Sequence, residues 1–143
     1  MKLFATMLLV LMTLPCSADE TAINRAVAKR VYEEGLSRGI FTVPYTDDFV
    51  GHGGSTTFTH EDGMKEARGW RSAFPDLAVS VDLIVAEGDL VAVRWTARGT
   101  NTGLGNGIPA TGRKVQVNGT AIFRFVDGKI AEEWTSANTL GLR

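Results

Sequence analysis

The sequence contains little of what several kinds of functional site require. Cysteine occurs once in 143 residues, at Cys16, so neither a disulfide within the chain nor a thiolate metal site can be built. Histidine occurs twice, as His52 and His60, and no carboxylates stand at a spacing that completes a metal-binding set with them. We therefore expect no metal site and no cofactor.

The chain also lacks an excess of charge of either sign. Fifteen Lys and Arg residues stand against sixteen Asp and Glu residues, which gives a net charge of −1 at pH 7. A surface that binds nucleic acid needs a basic patch or stripe, and this sequence has none. Nucleic acid is therefore not an expected partner.

Long apolar runs are confined to the N-terminus. Lys2 and the apolar run from Leu3 to Leu14 precede the small residues Ser17 and Ala18, which is the pattern of a secretory signal peptide. We predict a signal peptide over residues 1–18, cleaved after Ala18, and a secreted or periplasmic protein.

The remaining residues, 19–143, form one predicted domain without a membrane span, because no later apolar run is long enough to cross a bilayer. A lipid anchor on Cys16 is the alternative to cleavage, although Pro15 fits a lipidation motif poorly.

Apolar spacing predicts two helices followed by two strand hairpins. The first helix carries the stripe Ile23, Ala26, Val27 and Val31, and the second carries Met64, Ala67, Trp70 and Phe74. Thr59 is the predicted N-cap of the second helix. After Pro75 the period changes from 3.6 to 2, with hairpin turns at Gly88-Asp89 and Asp127-Gly128. Helices followed by an antiparallel meander indicate an α+β fold whose helices cover one face of a sheet.

Two segments are predicted to be loops. The stretch "VPYTDDFVGHGG" is rich in turn-forming residues and contains His52. The stretch "GTNTGLGNGIPATG", residues 99–112, is either a flexible hairpin loop or a lid over a cavity.

The Asp127-Gly128 turn predicts the register of the last hairpin. It places Phe125 opposite Ile130, Phe123 opposite Glu132 and Ala121 opposite Trp134. The helix-covered face then carries Phe123 and Trp134 together with the polar residues Glu132 and Asn138, whereas Glu133 points away. Polar groups on a covered apolar face are costly unless paired, which makes them candidates for ligand contact.

Five stretches of the chain resemble the SnoaL-like polyketide cyclase family, whose members are often called ester cyclases, within the NTF2-like superfamily. They are "YTDDFVGH", "AFPDLAVSVDLIVAEGDLVAVRWTARGT", "GIPATGRKVQV", "IFRFVDGKIAEEW" and the closing "LGL". The resemblance covers Ala22 to the end of the chain. It implies an NTF2-like cone, in which N-terminal helices wrap a curved antiparallel sheet around one pocket. It also implies cofactor-independent aldol ring closure of a polyketide ester and a homodimer formed through the sheet.

The chain departs from this family at one position of the last strand. The family pattern is Glu-x-Trp followed four residues later by an acid; Glu132 and Trp134 match it, and Asn138 takes the place of the acid. An amide cannot take up a proton at neutral pH. We therefore expect a small apolar or aromatic carbonyl compound as ligand, with either weak catalysis or binding alone.

His52 and Glu132 are the predicted catalytic residues. His52 matches the family's histidine, and an imidazole is a common general base. Glu132 on an apolar face would have a raised pKa and could act as an acid. The alternatives are a loop histidine bonded to the backbone and a salt bridge from Glu132 to Arg98 or Arg124.

The predicted ligand-binding residues are Trp95, Phe123, Trp134 and Asn138. Trp95 and Trp134 could stack on a planar ligand, or they could simply be core aromatics. His60 stands at a predicted helix start and is expected at the surface.

Overall fold

A computed structural model describes residues 17–139 and confirms the α+β class. The helices are α1 (Ala18–Arg30) and α2 (His60–Ala73). The strands are β1 (Tyr45–Gly53), β2 (Thr56–Phe58), β3 (Ala78–Glu87), β4 (Leu90–Thr100), β5 (Lys114–Val126) and β6 (Lys129–Asn138). The predicted signal peptide lies outside the described residues except for its last two, Ser17 and Ala18. Within the described part of the chain, no helix is long and apolar enough to cross a membrane.

Both helices begin with a capping box. The Ser17 hydroxyl accepts from the backbone N–H of Glu20, whose carboxylate accepts from the backbone N–H of Ser17. Thr59 and Asp62 make the same reciprocal pair at the start of α2, which confirms the predicted cap at Thr59. These caps satisfy backbone donors that have no partner inside a helix.

The buried face of α1 is rotated relative to the predicted stripe. Val27 is buried as expected, but Ile23 is 56% exposed. The helix continues as a π-helical segment, Val31–Leu36, whose Tyr32 is buried against the sheet. The Tyr32 ring stacks on the indole of Trp95 with 5.3 Å between ring centroids, so an aromatic contact with the sheet sets the orientation of the helix.

The six strands form one sheet in the order β2-β1-β6-β5-β4-β3. Both predicted hairpin turns are present. The loop prediction for residues 45–53 is wrong, because this segment forms β1 and pairs in parallel with β6. The sheet is therefore mixed. Phe49 and Gly51 are buried in β1, and β6 supplies hydrogen-bond partners that a local pattern of turn-forming residues cannot reveal.

A bulge in β6 reverses the predicted faces of the last strand. Phe125 pairs with Ile130 as expected, but Arg124 then pairs with Glu132, so Ala131 is an extra residue in β6. Ile130 and Ala131 are both buried, which strict alternation would forbid. From Glu132 onward every side chain points to the face opposite the one predicted.

The connection between β4 and β5 is anchored to α2. Asn101 is 2% exposed, and its amide donates to the carbonyl oxygens of Ala73 and Gly103 at 3.1 and 3.2 Å. Its Oδ1 accepts from the backbone N–H and the hydroxyl of Thr111. The segment is the predicted hairpin connection between β4 and β5, and these hydrogen bonds hold it on the C-terminal end of α2.

Candidate functional site

A cavity of about 610 Å³ lies between the helices and the concave face of the sheet. Its wall is largely apolar and aromatic. All four residues of the predicted α2 stripe contribute to it: Met64, Ala67, Trp70 and Phe74. Residues 100–113 do not line the cavity, so the segment after β4 is not its lid. The volume is in the range typical of small-molecule sites.

Glu133 brings a carboxyl group into this cavity. The bulge places Glu133 between Phe123 of β5 and Gly51 of β1, on the concave face. Its side chain lines the cavity and is otherwise enclosed by protein atoms. Burial, and secondarily the carboxylate of Glu66, raises the pKa of Glu133 to about 7. The prediction that Glu133 faces away from the pocket is therefore wrong, and the group is poised to exchange protons near neutrality.

Two tyrosine hydroxyls share the cavity with Glu133. Burial raises the pKa of Tyr32 well above its usual value, and the charges of Glu133 and Tyr45 act in the same direction. Burial also raises the pKa of Tyr45, followed by the effect of Glu133. Both phenols therefore remain protonated at neutral pH and can donate hydrogen bonds to a bound molecule.

Two residues of α2 also contribute polar groups to the wall. The Glu66 carboxylate accepts from the indole N–H of Trp70 at 3.1 Å. His60 is exposed as expected, yet its ring also packs on Tyr45 with 4.3 Å between centroids and lines the cavity. Burial, followed by the nearby Arg68 cation, lowers the pKa of His60, so its imidazole is neutral at neutral pH.

The predicted catalytic residues His52 and Glu132 meet on the convex face of the sheet instead. Nε2 of His52 lies 2.8 Å from Oε1 of Glu132, and Arg124 donates from Nε to Oε2 at 3.0 Å. The hydrogen bond to His52, and then the contacts with Arg124, lower the pKa of Glu132. The prediction of a pocket-facing acid is wrong at Glu132, and the alternative of a salt bridge to Arg124 is confirmed.

The predicted ligand-binding residues are divided between three locations. Trp95 lines the cavity. Phe123 is fully buried in the core and does not reach the cavity wall. Trp134 is 38% exposed on the convex face, where it stacks on His52 with 5.3 Å between ring centroids. Asn138 does not line the cavity, although its neighbours Ala137 and Thr139 do. The bulge at Ala131 is the physical reason for the misplacement of Trp134 and Asn138.

Glu133, Tyr32 and Tyr45 were missed because the signals for them are weak. Because Glu132 and Glu133 are adjacent in a strand, their two carboxyl groups lie on opposite faces of the sheet. The sequence does not show which of the two faces the cavity. Tyr32 follows Ala28 at a spacing of four, which extends the buried face of α1. Tyr45 stands in the segment predicted to be a loop.

No group of three or more His, Asp or Glu side chains within residues 17–139 is arranged to hold a metal ion. The polar groups of the cavity include carboxyl, phenol, hydroxyl, imidazole and guanidinium groups, whose common chemistry is proton transfer and hydrogen bonding.

Comparison with known proteins places this chain in a family. The model of the SnoaL-like polyketide cyclase family matches residues 21–143. The solved structure of AclR from Streptomyces galilaeus, a candidate hydroxylase, is 31% identical with a TM-score of 0.76. That match covers 85% of this chain and 93% of AclR. A search of curated proteins found no match.

Two further solved structures have the same fold. IdmH from Streptomyces antibioticus, a candidate polyketide cyclase, is 28% identical with a TM-score of 0.71, over 83% of this chain and 94% of IdmH. A candidate SnoaL-like polyketide cyclase from Jannaschia sp. CCS1 is 24% identical with a TM-score of 0.76, over 87% of this chain and 91% of its own. Because one relative is described as a hydroxylase and the others as cyclases, the reaction must be argued from the site of each protein.

Proposed function

Because the chain belongs to the SnoaL-like polyketide cyclase family, we propose that it catalyses acid–base chemistry on a small, partly apolar carbonyl compound. The observation that carries this proposal is the carboxyl group of Glu133, which lines an otherwise apolar cavity of about 610 Å³. A pKa of about 7 lets the same carboxyl act as base and then as acid at neutral pH. The proposal requires no cofactor.

The reaction that fits these groups is an intramolecular aldol addition. The Glu133 carboxylate removes a proton from a carbon that lies between two carbonyl groups. The resulting enolate carbon forms a bond to a second carbonyl carbon of the same molecule, and the protonated Glu133 returns its proton to the new alkoxide. The product is a cyclic isomer of the substrate, so no atom is gained or lost. Tyr32 and Tyr45, which remain protonated, supply donors for the developing negative charge.

Binding without catalysis is the second candidate function. It is favoured by Asn138, which stands where the family pattern has an acid and which does not line the cavity. Glu133 would then be only a polar group that orients a ligand.

A turnover assay separates the two candidates. We expect the purified protein to convert an aldol-competent polyketide methyl ester into a cyclic isomer, detected by chromatography and mass spectrometry as a new species of unchanged mass. Native mass spectrometry of the same preparation detects a retained ligand. Turnover above the protein-free rate supports the proposed catalytic function. A retained ligand without turnover on a panel of such esters would instead establish a binding protein.

We also propose a homodimer that forms through the convex face of the sheet. Seven large apolar side chains on this face are 38–58% exposed: Val50, Leu83, Val85, Leu90, Ile122, Val126 and Trp134. Cross-strand pairing joins Val85, Ala92, Ile122 and Trp134 into one row over four strands. A contiguous apolar patch of this kind is typical of an interaction surface.

Sedimentation velocity tests the dimer. The wild-type protein should sediment as a dimer at micromolar concentration, whereas Ile122→Glu should sediment as a monomer because it places a charge in the middle of the row. A wild-type monomer at all concentrations would refute the proposal.

A further inference from the structure

The Glu133 carboxyl group has no partner within the described part of the chain. Within residues 17–139 it makes no hydrogen bond and no ion pair. The side chain is half-buried and lines the cavity, so a bound molecule can reach it. The neighbouring charge that acts on it is the carboxylate of Glu66, which repels it. A carboxylate enclosed without a counter-charge is unfavourable, so a positive charge that entered the cavity would stabilise it.

An aromatic ring lies next to this carboxyl group. Gly51 of β1 is the cross-strand neighbour of Glu133, so a side chain at Gly51 would stand beside the carboxyl on the same face of the sheet. The ring of Phe58 occupies that space instead, since a Cβ atom on Gly51 would collide with it. Carboxylates and aromatic rings both attract organic cations, and here the two lie side by side.

The rest of the cavity wall suits the apolar part of such a cation. Its other aromatic side chains include those of Phe41, Phe49, Trp70 and Phe74. Glu66 adds a second carboxylate, which is exposed to solvent. The guanidinium of Arg98 also lines the cavity, but it is exposed and donates to Gln116 at 2.9 Å. The charged groups of the wall therefore favour a cation over an anion.

We infer that the cavity prefers ligands that carry a positive charge, an ammonium group on an apolar or aromatic framework, with the Glu133 carboxylate as counter-ion. This inference rests on the proposed function only in taking the cavity as the ligand site. Where the proposed reaction occurs, its preferred substrate is then a carbonyl compound that also carries an amine. A neutral ligand makes no use of the counter-ion, so its affinity should not depend on the charge of Glu133.

Binding of a cation should depend on the protonation state of Glu133. Its pKa is about 7 and only the ionised carboxyl is a counter-ion, so the affinity should increase as the pH rises through 7. The ionisable groups that share the cavity with Glu133 are Tyr32, Tyr45, His60, Glu66 and Arg98. Burial raises the pKa of both phenols and lowers the pKa of the imidazole, so all three groups are uncharged at neutral pH.

The test compares two probes of the same shape at pH 6 and pH 8. These are (2-naphthylmethyl)trimethylammonium, whose charge does not depend on pH, and 2-neopentylnaphthalene, in which carbon replaces the nitrogen. For the wild-type protein, fluorescence titration should give a cation affinity, relative to the neutral probe, that is roughly tenfold higher at pH 8. In Glu133→Gln this relative affinity should change by less than about twofold. Glu132→Gln, the matched control on the convex face, should keep the tenfold change.

Proton release makes the test independent of any variant. Calorimetry at pH 7 in buffers of different ionisation enthalpy should detect about half a proton released per bound cation, because about half of the Glu133 carboxyls are protonated before binding. No proton release, the same pH response in Glu133→Gln, or no measurable binding of the cation at pH 8 would overturn the inference. Cation binding with this pH dependence but without turnover would leave the inference standing while the proposed catalytic function fails. Turnover without cation binding would do the reverse.

Discussion

Replacing Glu133 with Gln is expected to lower the turnover of an aldol-competent ester by a factor of roughly 10² to 10⁴, the range typical of general acid–base catalysis. Gln has nearly the shape of Glu but cannot take up a proton, so ligand affinity should change little. The loss should appear in kcat rather than in KM, because the proton transfer occurs only in the reaction and not in binding.

The adjacent residue provides a matched control for this substitution. Glu132→Gln makes the same chemical change one residue earlier, on the convex face, where the side chain pairs with His52 and Arg124. Its turnover should stay within about threefold of the wild type, since Glu132 does not line the cavity. Equal losses in both variants, or activity retained in Glu133→Gln, would contradict the assignment of Glu133 as the proton-transfer group.

The pH dependence of stability gives a second readout for Glu133 that needs no substrate. The pKa of Glu133 is raised from 4.5 to about 7 in the folded protein, so the folded state binds the extra proton more tightly than the unfolded state does. The stability that this proton contributes is fully present below about pH 4.5 and is lost as the pH rises through about 7. For a shift of this size the loss is about 3 kcal/mol in the free energy of unfolding.

Urea unfolding between pH 5 and pH 8 measures this contribution. Because Gln does not titrate, the stability of Glu133→Gln relative to wild type should increase by about 2.5 kcal/mol across the range. Parallel stability curves for the two proteins would show that the carboxyl is not buried in the cavity wall.

Replacing Asn101 with Ala is expected to destabilise the protein by about 3 kcal/mol, which corresponds to a fall in Tm on the order of 10 °C. The Asn101 amide makes four hydrogen bonds, two as donor and two as acceptor, at a site that is 2% exposed. Its removal leaves buried backbone groups at the junction of α2 with the segment after β4 without their partners. Each buried backbone group that loses its hydrogen bond lowers the free energy of unfolding further.

Calorimetry of Asn101→Ala and Thr102→Ala checks this prediction. Thr102 is the next residue of the same segment and is exposed, so Thr102→Ala should change stability by less than about 0.5 kcal/mol. A Tm for Asn101→Ala within 2 °C of the wild type would show that the anchoring hydrogen bonds contribute little.

The parts of the fold that were predictable are those set by local sequence. The Asp127-Gly128 turn formed as expected because both residues have positive φ, at 50° and 75°, which Asp and Gly tolerate. Thr59 capped α2 because its hydroxyl reaches the backbone of Asp62 within one turn. Trp95, one of the residues predicted to bind a ligand, lines the cavity. The resemblance of the quoted stretches to SnoaL-like cyclases was confirmed by the family match over residues 21–143.

The candidate site was predicted less well, because its residues depend on contacts between distant segments. His52 and Glu132 do meet, but they do so on the convex face. The segment that holds His52 forms a strand because it pairs with β2 on one side and with β6 on the other. Its pairing with β6 joins residues that are far apart in sequence, as the 80 positions between His52 and Glu132 show. Pairing over such a separation leaves no local periodic signal.

The sequence alone identifies this protein as an α+β member of the SnoaL-like family, and the resemblance implies one pocket between helices and sheet. The tertiary structure is needed to show that Glu133, and not Glu132, lines that cavity. This orientation follows from one extra residue in β6, Ala131, which is buried together with the preceding Ile130. A bulge preserves the composition and the apparent period of a strand while inverting its faces, so it is specified by packing against β1 and β5 and not by the local pattern.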